Sequence, residues 1–264
     1  MKPTSQDPSK PSAPILPRII ITAADDGGLG HFDLIADPYA RVAMVLGPLS
    51  LDEVGPGDTL RVYMTVKGQP RQIASYVIKS ADLPGGGQVS PIFTVEANAS
   101  EINKEPDGTY PFSYDVLYSN QGSDSSIEPL IVRIKRTIPG SPAQPSDPVN
   151  DLLPAPVVQP DPVSESDTSA TVTVSPWSNM SEGDLVTVHW ERLRVTSAPI
   201  VAGDVGQPVL VMLTAEQLRE VGGMEDLPVA YEIFDVVGNH SGRSPYTFVD
   251  VEIEPPDAIA APRI

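Results

Sequence analysis

Residues 183–190, Gly-Asp-Leu-Val-Thr-Val-His-Trp, alternate apolar and polar side chains, and this stretch decides the fold class. In an extended chain Val186, Val188 and Trp190 fall on one face, and the two polar residues between them fall on the other. A period of two is the signature of a β-strand with one buried face. The stretch therefore predicts a strand with Trp190 in a core and His189 facing outward.

The same pattern occurs earlier in the chain, which indicates an internal repeat. Residues 57–64 (GDTLRVYM) match residues 183–190 at a shift of 126 positions. Residues 111–116 (PFSYDV) match residues 228–233 (PVAYEI) at a shift of 117 positions. Because the shift falls along the chain, the first copy is the longer one. We therefore predict two copies of one fold.

Short segments of alternating polarity recur in both copies, separated by turn-forming clusters of Gly, Pro, Asn and Asp. Regular short strands with such turns are typical of antiparallel sandwiches. One helix is predicted from Ala215 to Val221, because Thr214 and Gln217 form a capping box and Gly222 suits the C-terminal cap. Further strands are predicted at residues 73–78, 114–118, 130–134, 170–174, 231–234 and 248–253.

A proline-rich stretch separates the two copies. Eight prolines fall between Pro139 and Pro162, where they remove backbone donors and favour extended geometry. We therefore place the domain boundary there. The predicted organisation is a disordered tail at 1–14, a first sandwich at 15–138, a proline-rich linker at 139–152, a second sandwich at 153–254 and a tail at 255–264.

Composition and charge exclude several functional classes. The chain of 264 residues has 35 acidic against 17 basic side chains and a formal net charge of −18, so nucleic-acid phosphates and anionic lipid repel it. Without cysteine there are no disulfides, no thiolate metal sites and no cysteine nucleophile. No stretch approaches the roughly 20 apolar residues that cross a bilayer, so we expect no membrane insertion.

The first residues are polar and lack the apolar stretch of a secretory signal. Localisation therefore stays open between a cytoplasmic protein, export without an N-terminal signal, and a chain trimmed from a longer protein. We expect the chain to be a monomer.

Residues 231–241, Tyr-Glu-Ile-Phe-Asp-Val-Val-Gly-Asn-His-Ser, followed by the strand at 248–251, resemble the end of bacterial immunoglobulin-like repeats. Such repeats commonly end in Tyr-x-Val-x-Asp, two further residues, Gly-Asn-x-Ser and a last strand. Residues 153–158 are similar to the linker and first strand that open these repeats, and residues 183–190 are similar to their middle. The resemblance covers most of residues 153–254. The first copy departs from it, so its membership depends on the internal repeat.

The resemblance implies an all-β fold of two tandem antiparallel immunoglobulin-like β-sandwiches. It also implies a non-enzymatic structural or interaction module, since such repeats act as spacers, adhesive modules or presenters of another domain in large bacterial surface or secreted proteins. A carbohydrate-binding or accessory domain of a secreted enzyme or toxin is the alternative. Tyr114 and Tyr231 have the spacing of a tyrosine corner, although ordinary strand tyrosines with solvated hydroxyls fit equally well.

No catalytic constellation emerges from the sequence. His31, His189 and His240 lie in different segments without metal-ligand spacing, and we expect the latter two to be solvated. Residues 238–242 (GNHSG) lack the spacing of a Gly-x-Ser-x-Gly nucleophile elbow, and no glycine-rich stretch carries the Lys-Ser/Thr of a phosphate loop. We therefore predict no enzymatic activity and no cofactor.

Two binding hypotheses remain. Calcium is possible because hard oxygen ligands gather near the linker at Asp147, Asp151 and Asp161, although solvated loop charge is the alternative. A bound calcium ion would stiffen the linker. A protein or a surface glycan is the predicted partner, and aromatic stacking on a glycan needs exposed rings. The candidates are Trp177, Tyr63, Tyr110 and Tyr118, with Trp177 alternatively packing on its own domain.

Overall fold

The computed structural model describes residues 16–25, 27–37, 39–50, 54–83, 90–119, 122–125, 128–142 and 148–253. The chain divides into two compact units, Met1–Lys135 and Arg136–Ile264. The predicted tails at 1–14 and 255–264 lie outside the described residues. The longest described helix spans seven residues, so no helix in the described part of the chain can cross a membrane.

The first unit contains nine strands and four short helical segments among its described residues. The strands are β1 Ile20–Ile21, β2 Gly28–Leu29, β3 Arg41–Leu46, β4 Thr59–Val66, β5 Gln69–Val77, β6 Phe93–Asn98, β7 Gly108–Leu117, β8 Ser123–Ser125 and β9 Leu130–Ile134. The helical segments are α1 His31–Leu34, α2 Ala99–Ile102 and two 3₁₀ turns, Thr22–Ala24 and Ser80–Asp82.

The second unit repeats this series. Its strands are β10 Val157–Gln159, β11 Val163–Ser164, β12 Ser169–Val174, β13 Leu185–Trp190, β14 Leu193–Thr196, β15 Val209–Thr214, β16 Met224–Phe234, β17 His240–Arg243 and β18 Thr247–Glu252. Its helical segments are α3 Ala215–Val221 and a 3₁₀ turn, Ala202–Asp204.

Each unit is a sandwich of a three-stranded and a six-stranded sheet with the same topology. The first unit pairs β1-β3-β6 in one sheet and β2-β9-β7-β4-β5 in the other, with β8 added to β7. The second unit gives β10-β12-β15 and β11-β18-β16-β13-β14, with β17 added to β16. One pair in each unit is parallel, β2 with β9 and β11 with β18. The chain is thus all-β, with two tandem immunoglobulin-like sandwiches.

The register of the sheets confirms the internal repeat. In the first unit Thr59 lies opposite Leu117, and in the second Leu185 lies opposite Phe234. Adding the sequence shift of 126 to residue 59 gives residue 185, and adding the shift of 117 to residue 117 gives residue 234. A slip of one residue would have turned every inward side chain outward, so agreement of the register is a strict test.

The alternating strands bury the predicted faces. Leu60, Val62 and Met64 of β4 are fully buried, and so are Val186, Val188 and Trp190 of β13. Each set belongs to the core of its own sandwich. The predicted core position of Trp190 is confirmed. In the first copy Met64 stands at the position of Trp190, and its side chain also faces the core.

The Gly-Asp pair before this strand closes the turn that leads into it. Gly183 has φ +88°, and a Cβ there would lie 2.2 Å from a methyl carbon of Val236, so only glycine fits. The Asp184 carboxylate is buried and accepts hydrogen bonds from the Ser181 amide (2.9 Å) and the Trp177 indole (3.3 Å). In the first copy Asp58 similarly accepts from a loop amide three residues before it. The pair is therefore structural.

The predicted helix is confirmed with its capping box. α3 spans Ala215–Val221, and the Thr214 Oγ1 accepts from the Gln217 amide while the Gln217 Oε1 accepts from the Thr214 amide. Gly222 ends the helix with φ +80°. The equivalent α2 lacks a side-chain cap and spans only four residues.

Candidate functional site

The motif that resembles bacterial repeats, residues 235–244, is used to build the fold. The Asp235 carboxylate accepts from the Val237 amide, the Asn239 amide and the Asn239 side chain, each at 3.0 Å. The pairing of β16 with β17 shifts register between Glu232 and Phe234. Nearby, the Ser241 and Ser244 hydroxyls accept hydrogen bonds from buried amides of β16, at 2.9 and 3.0 Å. These polar residues satisfy the backbone, as buried amides require.

The same loops hold the segment that precedes the second sandwich. We call residues 136–142 and 148–152 the lead segment. The Gly140 amide donates to the Ser178 carbonyl (2.8 Å), and the Asn179 side chain donates to the Ile138 carbonyl (3.0 Å). Val149 forms a parallel bridge with Arg243. Much of the predicted linker is therefore bonded to loops of the second unit.

Asn150 is the centre of this attachment. Its side chain is buried and donates to the carbonyls of Gly140 (3.2 Å) and Ser241 (3.1 Å), and its Oδ1 accepts from the Leu152 amide (3.0 Å). Its own amide donates to the Arg243 carbonyl at 2.7 Å. One asparagine thus joins two parts of the lead segment to β17.

The calcium hypothesis receives no support from geometry in the described residues. Asp151 and Asp161 are exposed, and the described residues contain no group of three or more His, Asp or Glu side chains that could hold a metal ion. Asp147 lies outside the described residues. Calcium at the linker therefore stays a prediction.

Trp177 does not offer the exposed ring that ligand stacking needs. Only 7% of its surface is exposed, its ring belongs to the core of the second sandwich, and its indole nitrogen donates to Asp184. The described geometry gives no support to Trp177 as a stacking platform, and its role in binding stays a prediction. The alternative, packing on its own domain, is the one that the structure shows.

The three candidate tyrosines are half-buried and lie apart. Tyr110 and Tyr118 pack against the core of the first sandwich near opposite ends of β7, roughly 26 Å apart at 3.3 Å per residue. Tyr63 is on the outer face of β4. Their hydroxyls donate to the Pro106 carbonyl, Asp124 and Asp115, respectively. The structure does not bring these rings together as one stacking surface.

The Tyr231 hydroxyl matches neither prediction made for it, a tyrosine corner or a solvated group. The side chain is fully buried, and its hydroxyl donates to the Pro154 carbonyl at 2.9 Å, 77 residues earlier in the chain. Burial raises the pKa of this phenol well above its ordinary value. The bond fastens the start of the second sandwich to β16, so it is neither a local tyrosine corner nor a solvated group.

The outer face of the six-stranded sheet in the second unit carries a polar cluster that the sequence alone did not reveal. His189 was expected to be solvated, but it is only 8% exposed, and its Nε2 lies 2.9 Å from Glu232 Oε1 on the neighbouring strand. Burial lowers the pKa of His189, and Glu232 partly opposes this shift. The prediction of a solvated His189 is therefore wrong, because neighbouring side chains cover its outward position.

In the first unit the repeat shift of 117 places Asp115 at the position of Glu232, and Asp115 forms an ion pair with Arg61. Arg61 binds Asp115 through two parallel hydrogen bonds, Nε to Oδ1 at 2.8 Å and Nη2 to Oδ2 at 2.5 Å, and the Tyr63 hydroxyl donates to the same carboxylate. The hydrogen bond to Asp115 raises the pKa of Arg61. The repeat shifts place Thr187 at the position of Arg61, so the second unit cannot form this pair.

An uncharged outer face is the other notable surface of the second unit. On the three-stranded sheet, Val157, Leu210 and Met212 are 53%, 66% and 61% exposed. Thr171 and Thr173 separate them in the central strand. Exposed apolar side chains in a group are typical of interaction surfaces.

Comparison with known proteins finds no matching protein-family model and no matching curated protein. Among solved structures, the fibronectin(III)-like modules of Clostridium thermocellum CbhA share 11% identity at a TM-score of 0.44, over 90% of this chain and 94% of that one. A Ca²⁺-stabilized adhesin of an Antarctic bacterium that binds ice shares 12% identity at a TM-score of 0.34, over 90% of this chain and 50% of that one. The chain thus spans half the length of that adhesin. Likeness at this level assigns no function.

Proposed function

We propose that this chain is a non-enzymatic structural module, a pair of immunoglobulin-like sandwiches that serve as a spacer in a bacterial surface or secreted protein. One observation carries the proposal. The loops at one end of the second sandwich, which a binding module would leave free for a ligand, are bonded to the lead segment. Asn150, Asn179 and Asn239 all donate to main-chain carbonyls of that segment or of the loops beneath it.

A spacer needs its modules to resist opening where the chain enters them. The lead segment provides this, because its hydrogen bonds join it to β17 and to the loop at Ser178. A pull on the chain at residue 136 would have to break these bonds before reaching the core. The hydrogen bonds described at this end of the second sandwich hold the lead segment in place, which agrees with a structural role.

Amide hydrogen exchange on the full chain tests the proposal. The amides of Gly140 and Asn150 should exchange nearly as slowly as that of Ile233, because opening them requires disruption of the second sandwich. In an Asn150→Ala variant the Gly140 amide should exchange faster than in the unmodified chain. The Ile233 amide should exchange more slowly than the Gly140 amide of the same variant. Exchange of Gly140 and Asn150 at the rate of an unstructured peptide in the unmodified chain would overturn the proposal.

A further inference from the structure

The polar cluster on the outer face of the second sandwich surrounds a concavity of about 310 Å³, the lower end of the range for ligand pockets. Its position follows from the sheet register. His189 lies opposite Arg194 on one side and Ala230 on the other. Ala230 has the smallest side chain in this row, and Tyr246 directly precedes β18.

The concavity concentrates the scarce positive charge of this half of the chain. From Asp147 onward there are five basic side chains against 19 acidic ones, and two of the five, Arg194 and Arg243, line the concavity. Glu232 is engaged with His189, and Glu191 also lies at the wall. An arginine pair in an otherwise acidic domain favours a ligand with a carboxylate, which arginine binds with a planar fork of donors.

His189 supplies a hydrogen-bond acceptor to the same place. A carboxylate can only accept, so the proton of the neutral imidazole lies on Nε2, facing Glu232, and Nδ1 is left as an acceptor. Nδ1 is buried and has no hydrogen-bond partner among the described residues. The Nε of Arg243 is likewise buried without a partner in the described part of the chain. A ligand that offers a donor, such as a hydroxyl or an N–H, and an anionic oxygen would match these two atoms.

The remaining walls are apolar or aromatic. Met224 and Pro228 line one side, and Tyr246 is 43% exposed with its hydroxyl accepting from Arg243 Nη1 at 3.1 Å. The Tyr246 ring is thus held in place and offers a surface for the C–H face of a sugar ring.

We infer that this concavity binds one uronic acid unit of an acidic glycan. Arg194 and Arg243 take its carboxylate, His189 Nδ1 and Glu191 accept its hydroxyls, and the ring packs on Tyr246. An acidic peptide brings a carboxylate for the arginines and N–H donors for His189 and Glu191, but it has no sugar ring to pack on Tyr246. The described residues of the first unit lack an equivalent histidine, because the repeat shift of 126 places Tyr63 at the position of His189. The inference goes beyond the spacer role and stands independently of it.

The test is an NMR titration of the full chain with three probes: methyl glucuronide, methyl glucoside and N-acetyl-glutamate amide. Methyl glucuronide should cause saturable shifts at His189 and Tyr246 and none at Tyr63. Methyl glucoside lacks the carboxylate, and because a hydrogen bond to a charged group is worth at least about tenfold in affinity, it should bind at least tenfold more weakly. N-acetyl-glutamate amide keeps the carboxylate but lacks the ring that packs on Tyr246, so it should also bind more weakly.

Three variants sharpen the test. Arg243→Gln should weaken glucuronide binding at least about tenfold, and Arg194→Gln, at an exposed position, provides the same test if Arg243→Gln perturbs the fold. Arg219→Gln on α3 removes the same charge away from the concavity and should leave binding unchanged. The inference is overturned if methyl glucuronide gives no saturable shift, if N-acetyl-glutamate amide binds equally well, or if Arg219→Gln weakens binding as much as Arg194→Gln.

Discussion

Asn150→Ala tests the attachment of the lead segment to the second sandwich. The substitution removes three hydrogen bonds, two donated to the carbonyls of Gly140 and Ser241 and one accepted from Leu152. At a net contribution of roughly 0.5–1.5 kcal/mol each, the free energy of unfolding of the second unit should fall by about 1.5–4.5 kcal/mol. Burial of the site adds to the cost, because the two carbonyls lose a partner away from water.

Urea unfolding followed by tryptophan fluorescence measures this loss selectively. Both tryptophans of the chain, Trp177 and Trp190, lie in the core of the second unit, so the signal reports that unit alone. Asp151→Ala at the adjacent exposed position is the matched control and should change stability by less than about 0.5 kcal/mol. A loss below that value for Asn150→Ala would refute the reasoning.

Three further outcomes are expected in the second unit. Trp190→Ala should lower its free energy of unfolding by about 3–5 kcal/mol in urea unfolding followed by Trp177 fluorescence, because the ring is fully buried. Tyr231→Phe should cost about 1 kcal/mol in the same assay through loss of the bond to Pro154; no change would place that hydroxyl in water. Because burial lowers the pKa of His189 in the folded state, stability should be greatest above the ordinary pKa of 6.5 and fall as the pH drops through it. Denaturation at pH 7.5 and 5.5 should show this slope, and His189→Gln should reduce it.

Features fixed by local chemistry could be predicted from the sequence. The alternation at residues 183–190 placed Trp190 inward, and the capping box at Thr214 gave the bounds of α3. The internal repeat was more powerful, since its two shifts reproduce the pairing of β13 with β16 residue by residue.

Features that depend on distant partners could not be predicted. Trp177 stands in a turn, and only the folded chain shows that its indole meets the buried Asp184. The prolines near residue 139 indicated a linker without partners. Its hydrogen bonds instead join Ser141 to Asn179, 38 positions away, and Asn150 to Ser241, 91 positions away. His189 faces outward as expected, yet it is covered because Glu232 lies beside it across the sheet.

The central claim, that the lead segment belongs to the second module, is tested most directly by single-molecule stretching of the full chain held at its two ends. If the claim holds, unfolding of the second module releases the chain from about residue 137 to residue 253, a contour length nearly equal to that of the first module, and Asn150→Ala shortens this step. If the predicted linker is instead free, the second step starts near residue 153. It would then be shorter by about 58 Å, since an extended residue spans at most about 3.6 Å. Two steps of nearly equal length support the account, and a difference of about 58 Å in the unmodified chain contradicts it.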